Sequence, residues 1–406
     1  MKFTRKETWR TWVTPKPLRD QPIHRWYVFP HSFAPDLVHE LIVEWNLGKR
    51  DCILDPFAGA GTTLLAGKQK GVRACGYDLS PLAVLASRVK TTGYKRARLD
   101  AAWLQLNKAL NSFRPNGLSR TYADLVRDAL PGKLLSGFDF IGTLIDKLTC
   151  SEAERDFFRL ALLSTVPIYS RAVATGGWLS WVNTSTRVTS LVASFRSCVE
   201  SMLEDYYDYA PPPQPRCEVA IADARRLPET NRKYSAVITS PPYPNRHDYT
   251  RVFGVELMLS LLNWEETRAL RYQTFSSHPE SHPERPRANG YETPDSLSRI
   301  LALMRSDCDD ERIPDMLEGY FLDMYLCLRE LRRVCRSKAM IAFVVGNARY
   351  AGRAILVDKL TAEIGEQSGL KCTELVVARY RGNSAQQMRR FGKQRSRETV
   401  VIFQRP

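Results

Sequence analysis

The sequence has no run of apolar residues long enough to cross a membrane, and no apolar stretch follows its basic N-terminus. A spanning helix needs about 20 mostly apolar residues and a secretory signal needs a shorter apolar core, so we expect neither a membrane anchor nor export. The cysteines occur singly, with no CxxC pair, which argues against a disulfide framework and against a zinc site. We therefore expect a cytoplasmic protein without a structural metal.

Acidic residues are in the minority. Lys and Arg number 59 against 44 Asp and Glu, which gives a formal net charge of +15 at pH 7. An excess of cations of this size favours a polyanion as partner, most simply nucleic acid. Internal repeats and long low-complexity tracts are also lacking, and 44% of the residues are hydrophobic, so the composition is that of a globular protein.

The sharpest break in the chain is a proline cluster at 211–215, which indicates a stiff extended linker. Short apolar strands alternate with helical patterns before residue 93 and again after residue 216, whereas the region between has helical spacing. This alternation predicts an α/β fold, with a doubly wound and mostly parallel sheet of about seven strands. The expected divisions are a first part at 1–93, a helical insertion at 94–215, and a second part at 216–406 with a loop-rich segment at 264–312.

The first motif is DPFAGAGTT at 55–63, between a predicted strand and a predicted helix. Its glycines permit a tight turn and close approach of a ligand to the backbone, and the helix start offers free N–H groups. No Lys-Ser or Lys-Thr follows, as a P-loop requires, and the third glycine of the dinucleotide fingerprint is missing. Taken alone, the motif is equally compatible with a plain turn between strand and helix.

Two aspartates end later strands and are candidate ligands of a nucleoside. Asp78 follows the glycine turn by about 20 residues, where a carboxylate can accept both hydroxyl hydrogens of a ribose. The alternative for Asp78 is a helix N-cap. Asp223 could accept from an adenine amino group, or it could lie in a surface turn.

The second motif is TSPPY at 239–243, directly after another predicted strand. Its two prolines fix the backbone as it leaves the sheet. The hydroxyl of Ser240 and the carbonyl of Pro241 can accept the two hydrogens of a planar amine, and the ring of Tyr243 can stack on its face. A proline-rich surface turn is the alternative for this motif by itself.

Together, DPFAGAGTT and TSPPY resemble the motifs of the amino-methyltransferases of DNA, which use S-adenosylmethionine and act on N4 of cytosine or N6 of adenine. The resemblance covers the two motifs, Asp78, and the strand–helix order of about 1–93 and 216–406. It implies a Rossmann-like methyltransferase sheet in which the first motif binds the methionine part of S-adenosylmethionine. It also implies that a segment before this motif closes over the cofactor, with Ser32 and Phe33 as candidates; simple core burial is the alternative for Phe33.

The residues that the motifs and the resemblance select fall into two groups. The candidate cofactor-binding residues are Ser32, Phe33, Asp55, Pro56, Phe57, Gly59, Gly61, Thr62, Thr63, Asp78, Leu79 and Asp223. The candidate catalytic residues are Ser240, Pro241, Pro242 and Tyr243.

In this family, Ser before Pro-Pro tends to accompany N4 of cytosine, whereas Asp or Asn accompanies N6 of adenine. Ser240 therefore favours cytosine, in DNA whose target base is flipped out of the duplex. The order of the motifs, cofactor before catalytic, differs from many N4 enzymes of the family and leaves adenine open. An RNA base methyltransferase and a non-catalytic nucleic-acid binder are further alternatives. In a restriction-modification or phage-defence system, a cognate restriction endonuclease is an expected partner.

Basic residues near the second motif and near the C-terminus are candidate contacts to DNA phosphates. These residues are Arg246, Arg251, Arg389, Arg390, Lys393 and Arg395. Each of them could equally lie on a solvated surface. Target recognition is expected from the insertion rather than from 264–312, on size alone. Its segment 175–187, which combines tryptophans, small polar residues and an arginine, could be a reading loop or simply a turn between helices.

Overall fold

The computed structural model describes residues 2–182, 190–230, 233–382, 389, 392 and 395–406. Its strands are β1 Phe3–Arg5, β2 Cys52–Asp55, β3 Arg73–Asp78, β4 Ala172–Thr175, β5 Trp178–Trp181, β6 Glu218–Ile221, β7 Tyr234–Thr239, β8 Cys335–Gly346, β9 Ala348–Tyr350, β10 Arg353–Ile355, β11 Lys371–Arg381 and β12 Ser396–Gln404. Its α-helices are α1 Trp9–Trp12, α2 Pro35–Glu44, α3 Thr62–Gln69, α4 Pro81–Thr91, α5 Arg96–Leu110, α6 Asp124–Ala129, α7 Lys133–Asp146, α8 Glu152–Tyr169, α9 Leu191–Tyr209, α10 Tyr249–Val252, α11 Gly254–Ser260, α12 Trp264–Gln273, α13 Asp295–Asp307, α14 Arg312–Val334 and α15 Val357–Gln367. Two short 3₁₀ helices are Lys16–Arg19 and His24–Trp26.

The main sheet has eight strands in the order β1-β11-β12-β8-β7-β2-β3-β6. Strand β12 runs antiparallel to both of its neighbours, and every other adjacent pair is parallel. The expected mostly parallel α/β sheet is therefore present, with one strand more than the seven expected. The additional strand is β1 at the sheet edge, whose three residues are too few to give a strand pattern in the sequence.

Strand order reverses between β2 and β7. The chain runs from β2 outward to β3 and β6, and then returns to place β7 on the other side of β2. Ligands of open parallel sheets bind at the carboxyl ends of the strands where the order reverses in this way. The candidate site should therefore lie at the ends of β2 and β7.

Helices cover both faces of the sheet. Successive side chains of a strand point to opposite faces, so an apolar strand places apolar side chains on both faces, and each face needs a covering layer. One face carries Leu54, Val237 and Phe343 in a core shared with α13, α14 and α15. The other face carries Ile53 and Ile238 in a core shared with α2. The sheet is thus buried on both sides, as its nearly continuous apolar strands require.

The insertion has its own apolar core, formed by α5 to α9 together with α4 and α11 of the sheet-bearing part. It is not purely helical, since β4 and β5 form an antiparallel hairpin between α8 and α9. The buried carboxylate of Asp205 on α9 accepts hydrogen bonds from the backbone of Ile23 and from the side chains of Arg25 and Trp26. The insertion is therefore joined to the segment that precedes α2.

The segment 264–312, expected to be rich in loops, contains two helices around an irregular stretch. Helix α12 begins with a capping box of Asn263 and Glu266, and α13 buries Leu297, Leu301 and Met304 along one face. The apolar residues of α13 recur at helical spacing, so this part of the segment does carry a helix pattern in the sequence. Among the described helices, none combines the length and the apolar character that a membrane crossing needs.

Candidate functional site

A cavity at the carboxyl ends of β2, β3 and β7 contains most of the residues selected from the sequence; we call it the strand-end cavity. The selected residues that line it are Ser32, Phe33, Asp55, Pro56, Phe57, Gly59, Thr62, Asp78, Leu79, Asp223, Ser240 and Pro242. Gly61, Thr63, Pro241 and Tyr243 belong to the same two motifs but are not part of the lining. The two motifs therefore share one crevice.

The glycine turn after β2 is held against α4. Gly61 has a φ of +82°, and a Cβ placed there would come within 2.9 Å of Ser87 on α4. The Ser87 hydroxyl donates to the carbonyl oxygen of Gly59 at 2.8 Å. Only glycine combines the left-handed backbone with this close approach, so the turn is fixed in place by the helix that follows β3.

Asp55 connects the two motifs. Its Oδ1 accepts from the Thr239 hydroxyl at 2.6 Å and from the Phe57 backbone N–H at 3.1 Å. Burial raises the pKa of this carboxyl to about 6, because desolvation outweighs the hydrogen bonds that favour the carboxylate. A cation bound in the cavity would be stabilised by this carboxylate.

Asp78 is held by backbone N–H groups on both of its oxygens. Oδ2 accepts from Gly59 at 2.9 Å, and Oδ1 accepts from Ser80 at 2.9 Å, at the start of α4. Burial raises the pKa of Asp78, while these hydrogen bonds oppose the shift. The carboxylate therefore serves the beginning of the helix while it also lines the strand-end cavity, and a carboxylate oxygen that accepts one hydrogen bond can accept another.

Asp223 lines the cavity but is already paired. The guanidinium of Arg225, whose side chain is 1% exposed, donates to both Asp223 oxygens and also pairs with buried Asp323. An adenine amino group would have to share these carboxylate oxygens with the guanidinium. Asp223 is thus anchored by a buried ion pair, which the sequence did not indicate.

The hydroxyl of Ser240 donates to the carbonyl oxygen of Val344 at 3.1 Å. This bond uses the only hydrogen of the hydroxyl, so the oxygen faces the cavity as an acceptor. The residues 240–248, which we call the SPPY loop, continue from here along the rim of the cavity. An acceptor at this point suits an amine that donates a hydrogen.

Tyr243 is 4% exposed, and its ring contacts Gly346, where a Cβ would lie 2.8 Å from it. The ring centroid of His31 is 5.9 Å from that of Tyr243, and the Arg381 guanidinium is 5.7 Å from it. A flat ligand would reach the face of Tyr243 only after the surrounding side chains move. The ring is therefore held in position but covered.

One wall of the strand-end cavity is formed by side chains from residues 249–278, none of which the sequence analysis selected as a cofactor or catalytic residue. This wall consists of Tyr249, Thr250, Leu257, Leu270, Thr274, Phe275, Ser277 and His278. The ring of Phe275 meets that of Phe57 edge to face, with centroids 5.5 Å apart. These residues lie on α10 to α12 and the following turn, and no motif in the sequence connects them with a ligand.

Beside the cavity, ligand atoms of Asp248, His278 and Glu280 lie within 4.8 Å of one another. Such a group could in principle hold a metal ion. Arg271 Nε lies 2.6 Å from Asp248, and Arg251 lies 3.9 Å from Glu280. Since guanidinium groups already balance the carboxylates, we interpret the cluster as an ion-pair network.

The basic candidates are dispersed. Arg246 follows Tyr243 closely and lies 3.7 Å from Asp310, and Arg251 stands over the ring of Trp178 at 4.4 Å. Arg389 and Arg395 are exposed. Arg390 and Lys393 lie outside the described residues, as does the 183–187 part of the tryptophan-bearing segment 175–187. The basic candidates near the SPPY loop and those near the C-terminus thus form two separate groups in the sequence, and neither Arg246 nor Arg251 lines the strand-end cavity.

Comparison with known proteins agrees with this geometry. Residues 3–87 match a family described as DNA methylase. The chain is 27% identical to the Type II methyltransferase M.BsoBI of Geobacillus stearothermophilus, over 96% of this chain and 86% of that protein. It is likewise 27% identical to the Type II methyltransferase M.AvaI of Anabaena variabilis, over 96% of this chain and 87% of that protein. The Type II methyltransferase M.MvaI of Kocuria varians is 33% identical over 81 residues, which are 20% of this chain and 18% of that protein. Because the first two likenesses span 96% of the chain, they extend through the insertion, which the resemblance of the motifs alone does not cover.

The glycine turn gives a matched test. Gly61 and Gly71 both have positive φ, but a Cβ at Gly71 would meet nothing within 4 Å. We expect Gly71→Ala to cost about 1 kcal/mol from backbone strain alone. Gly61→Ala should cost about 1–3 kcal/mol more because it also displaces α4. Urea unfolding of both variants measures this difference, and equal losses would mean that the contact with Ser87 is unimportant.

Proposed function

Because this chain belongs to the S-adenosylmethionine-dependent amino-methyltransferases of DNA, we propose that it methylates the N4 amine of cytosine in DNA. We further propose that it is the methyltransferase of a type II restriction-modification system, as its relatives' names suggest, with a cognate endonuclease as partner. The observation that carries the proposal is the hydrogen bond between Thr239 and Asp55, which puts the two motifs at one cavity. In this proposal, DPFAGAGTT at 55–63 binds the methyl donor and TSPPY at 239–243 binds the target amine.

The residues of the cavity fit S-adenosylmethionine, which supplies a methyl group on a cationic sulfur. In our proposal, Asp78 accepts the ribose hydroxyls and Gly59 lies against the methionine part. Asp55 stabilises the positive charge of that part, since its carboxylate is buried nearby. Apolar side chains such as Leu79 and Phe57 enclose the nucleoside.

At the other end, Ser240 and the Pro241 carbonyl accept the two hydrogens of the target amine. These hydrogen bonds oppose delocalisation of the nitrogen lone pair into the ring and direct it toward the methyl group. When bound, S-adenosylmethionine would supply the methyl group: the nitrogen would form the new N–C bond as the C–S bond breaks with its electron pair going to sulfur, which leaves S-adenosylhomocysteine, and the nitrogen would release one proton to water. The flipped base stacks on Tyr243 once the covering side chains have moved.

The proposal is tested by incubating the protein with methyl-labelled S-adenosylmethionine and duplex DNA, digesting the DNA and identifying the labelled nucleoside. We expect N4-methylcytosine. N6-methyladenine would overturn the choice of cytosine while leaving the reaction class. Label that enters RNA in a parallel incubation, and not DNA, would overturn the substrate.

Two substitutions should separate cofactor binding from turnover. Asp78→Asn removes an acceptor for the ribose, so we expect the Kd for S-adenosylmethionine to rise by about 10-fold or more. Ser240→Ala removes the acceptor for the amine, so we expect kcat to fall by about 100-fold with little change in cofactor Kd. Calorimetric titration and single-turnover assays measure the two quantities. The opposite pattern, with Ser240→Ala weakening the cofactor, would contradict the assigned roles.

Cofactor affinity should depend on pH through Asp55. The pKa of this carboxyl is raised to about 6, so the carboxylate that would face the cationic cofactor is lost as the pH falls through 6. We expect the Kd for S-adenosylmethionine to rise by up to about 10-fold per pH unit below that value. The Asp55→Asn variant should bind more weakly and lack this dependence. An identical pH profile in wild type and variant would show that another group is responsible.

A further inference from the structure

A second groove runs beside the SPPY loop, between the hairpin β4–β5 and helices α6 and α12. It has a volume of about 1090 Å³. Thr250 lines both this groove and the strand-end cavity. A ligand in the groove would therefore lie next to anything bound in the cavity.

Large aromatic side chains are exposed along the groove. Trp178 is 50% exposed, Trp181 is 55% exposed and Trp264 is 53% exposed, and Tyr272 completes the set. Indole rings are normally well buried, so several exposed ones on one surface indicate a binding site. Their flat faces are suited to stacking against other flat, delocalised rings.

Guanidinium groups are the main charged groups of the groove lining, and each also pairs with a neighbouring carboxylate: Arg127 with Asp124, Arg268 with Glu265, and Arg251 and Arg271 with Asp248 and Glu280. The lining includes four arginines, Arg127, Arg251, Arg268 and Arg271, and one carboxylate, Asp124. The guanidinium of Arg251 lies 4.4 Å from the centre of the Trp178 ring. Alternating guanidinium and aromatic groups are the pattern with which proteins hold a nucleic-acid strand, one for phosphates and the other for bases.

The hairpin is joined to the SPPY loop at its tip. A Cβ at Gly177 would lie 2.6 Å from the carbonyl oxygen of Arg246 and 2.9 Å from Cα of His247. Only a residue without a side chain permits this contact. The tryptophans that follow Gly177 are therefore held at a fixed distance from the loop that carries Ser240.

We propose that this groove binds the DNA strand that flanks the target base, with Trp178 and Trp181 stacking on bases and Arg268 contacting a phosphate. The inference rests on the proposed function in taking DNA as the polymer. It adds a surface on the insertion that the motifs do not include. Bases beside a flipped nucleotide have lost a stacking neighbour, which an indole ring can replace.

The test measures binding without turnover. The full chain, with S-adenosylhomocysteine present so that no methyl group is transferred, is titrated into a fluorescein-labelled 30-base-pair duplex of mixed sequence at low salt. We expect Trp178→Ala and Trp181→Ala each to raise the Kd by about 10-fold and the double variant by about 100-fold. Quenching of tryptophan fluorescence by DNA should weaken in parallel.

Tyr209→Ala provides the matched control, because Tyr209 is also an exposed aromatic residue but lies outside the groove. It should leave the Kd unchanged. All variants replace exposed side chains, so their thermal midpoints and cofactor affinities should match the wild type. An unchanged Kd in the tryptophan double variant would overturn the proposal, as would a change in oligomeric mass with DNA affinity intact, since the groove would then be an interface between copies.

Charge reversal gives an independent measurement. Arg268→Glu should lower the slope of log K against log salt by about 1 or more, and Arg98→Glu on α5, an exposed arginine outside the groove, should change it less. Equal slopes for the two variants would contradict a phosphate contact at Arg268.

The groove and the proposed function fail separately. If the protein methylates no DNA but the tryptophan variants lose DNA affinity, the proposal that the groove binds DNA stands and the proposed methyltransferase function is wrong. If the protein methylates DNA but those variants bind DNA with normal affinity, the proposed function stands and the proposal for the groove is wrong.

Discussion

The hydrogen bond from Thr239 to Asp55 is the interaction on which the site depends, since it joins the ends of two strands that are far apart in sequence. The two strands are adjacent and parallel, so their carboxyl ends meet at the same edge of the sheet. The bond forms at the point where the strand order reverses. A buried carboxylate there is costly, and the Thr239 hydroxyl and the Phe57 N–H offset part of that cost. Sheet topology thus creates the crevice, and one buried polar pair fixes its geometry.

The segment before α2 forms the opposite wall, and buried polar groups hold it from two directions. Lys90 on α4 donates to the carbonyl oxygens of His24 and Tyr27, and its burial lowers the pKa of the ammonium to about 7. Asp205 on α9 holds the same segment from the insertion. The insertion is therefore part of the structure that shapes the cavity wall, and its helices share a core with α4 and α11.

Sequence reasoning succeeded where a local pattern has one physical meaning. The apolar strand ending at Asp55, the glycine turn and the proline pair each restrict the backbone strongly, so β2 and β7 end and α3 begins where the two motifs predict. It failed where tertiary contacts decide. Strand β1 exists because β11 offers an edge to pair with, Asp223 is paired because Arg225 folds back beside it, and the wall around Phe275 depends on how α12 meets the sheet. None of these contacts has a signal within a short stretch of sequence.

The contact between Gly177 and the SPPY loop has a consequence for how DNA recognition and chemistry are related. A side chain at this position would separate the hairpin from Arg246 and His247, so the close approach is a structural requirement. The same loop begins at Ser240, whose hydroxyl is oriented by Val344 on the neighbouring strand. A polymer seated on the hairpin would therefore be positioned relative to the amine acceptor through one rigid contact. In the arrangement we propose, recognition from the insertion and orientation of the target amine would both depend on this one loop.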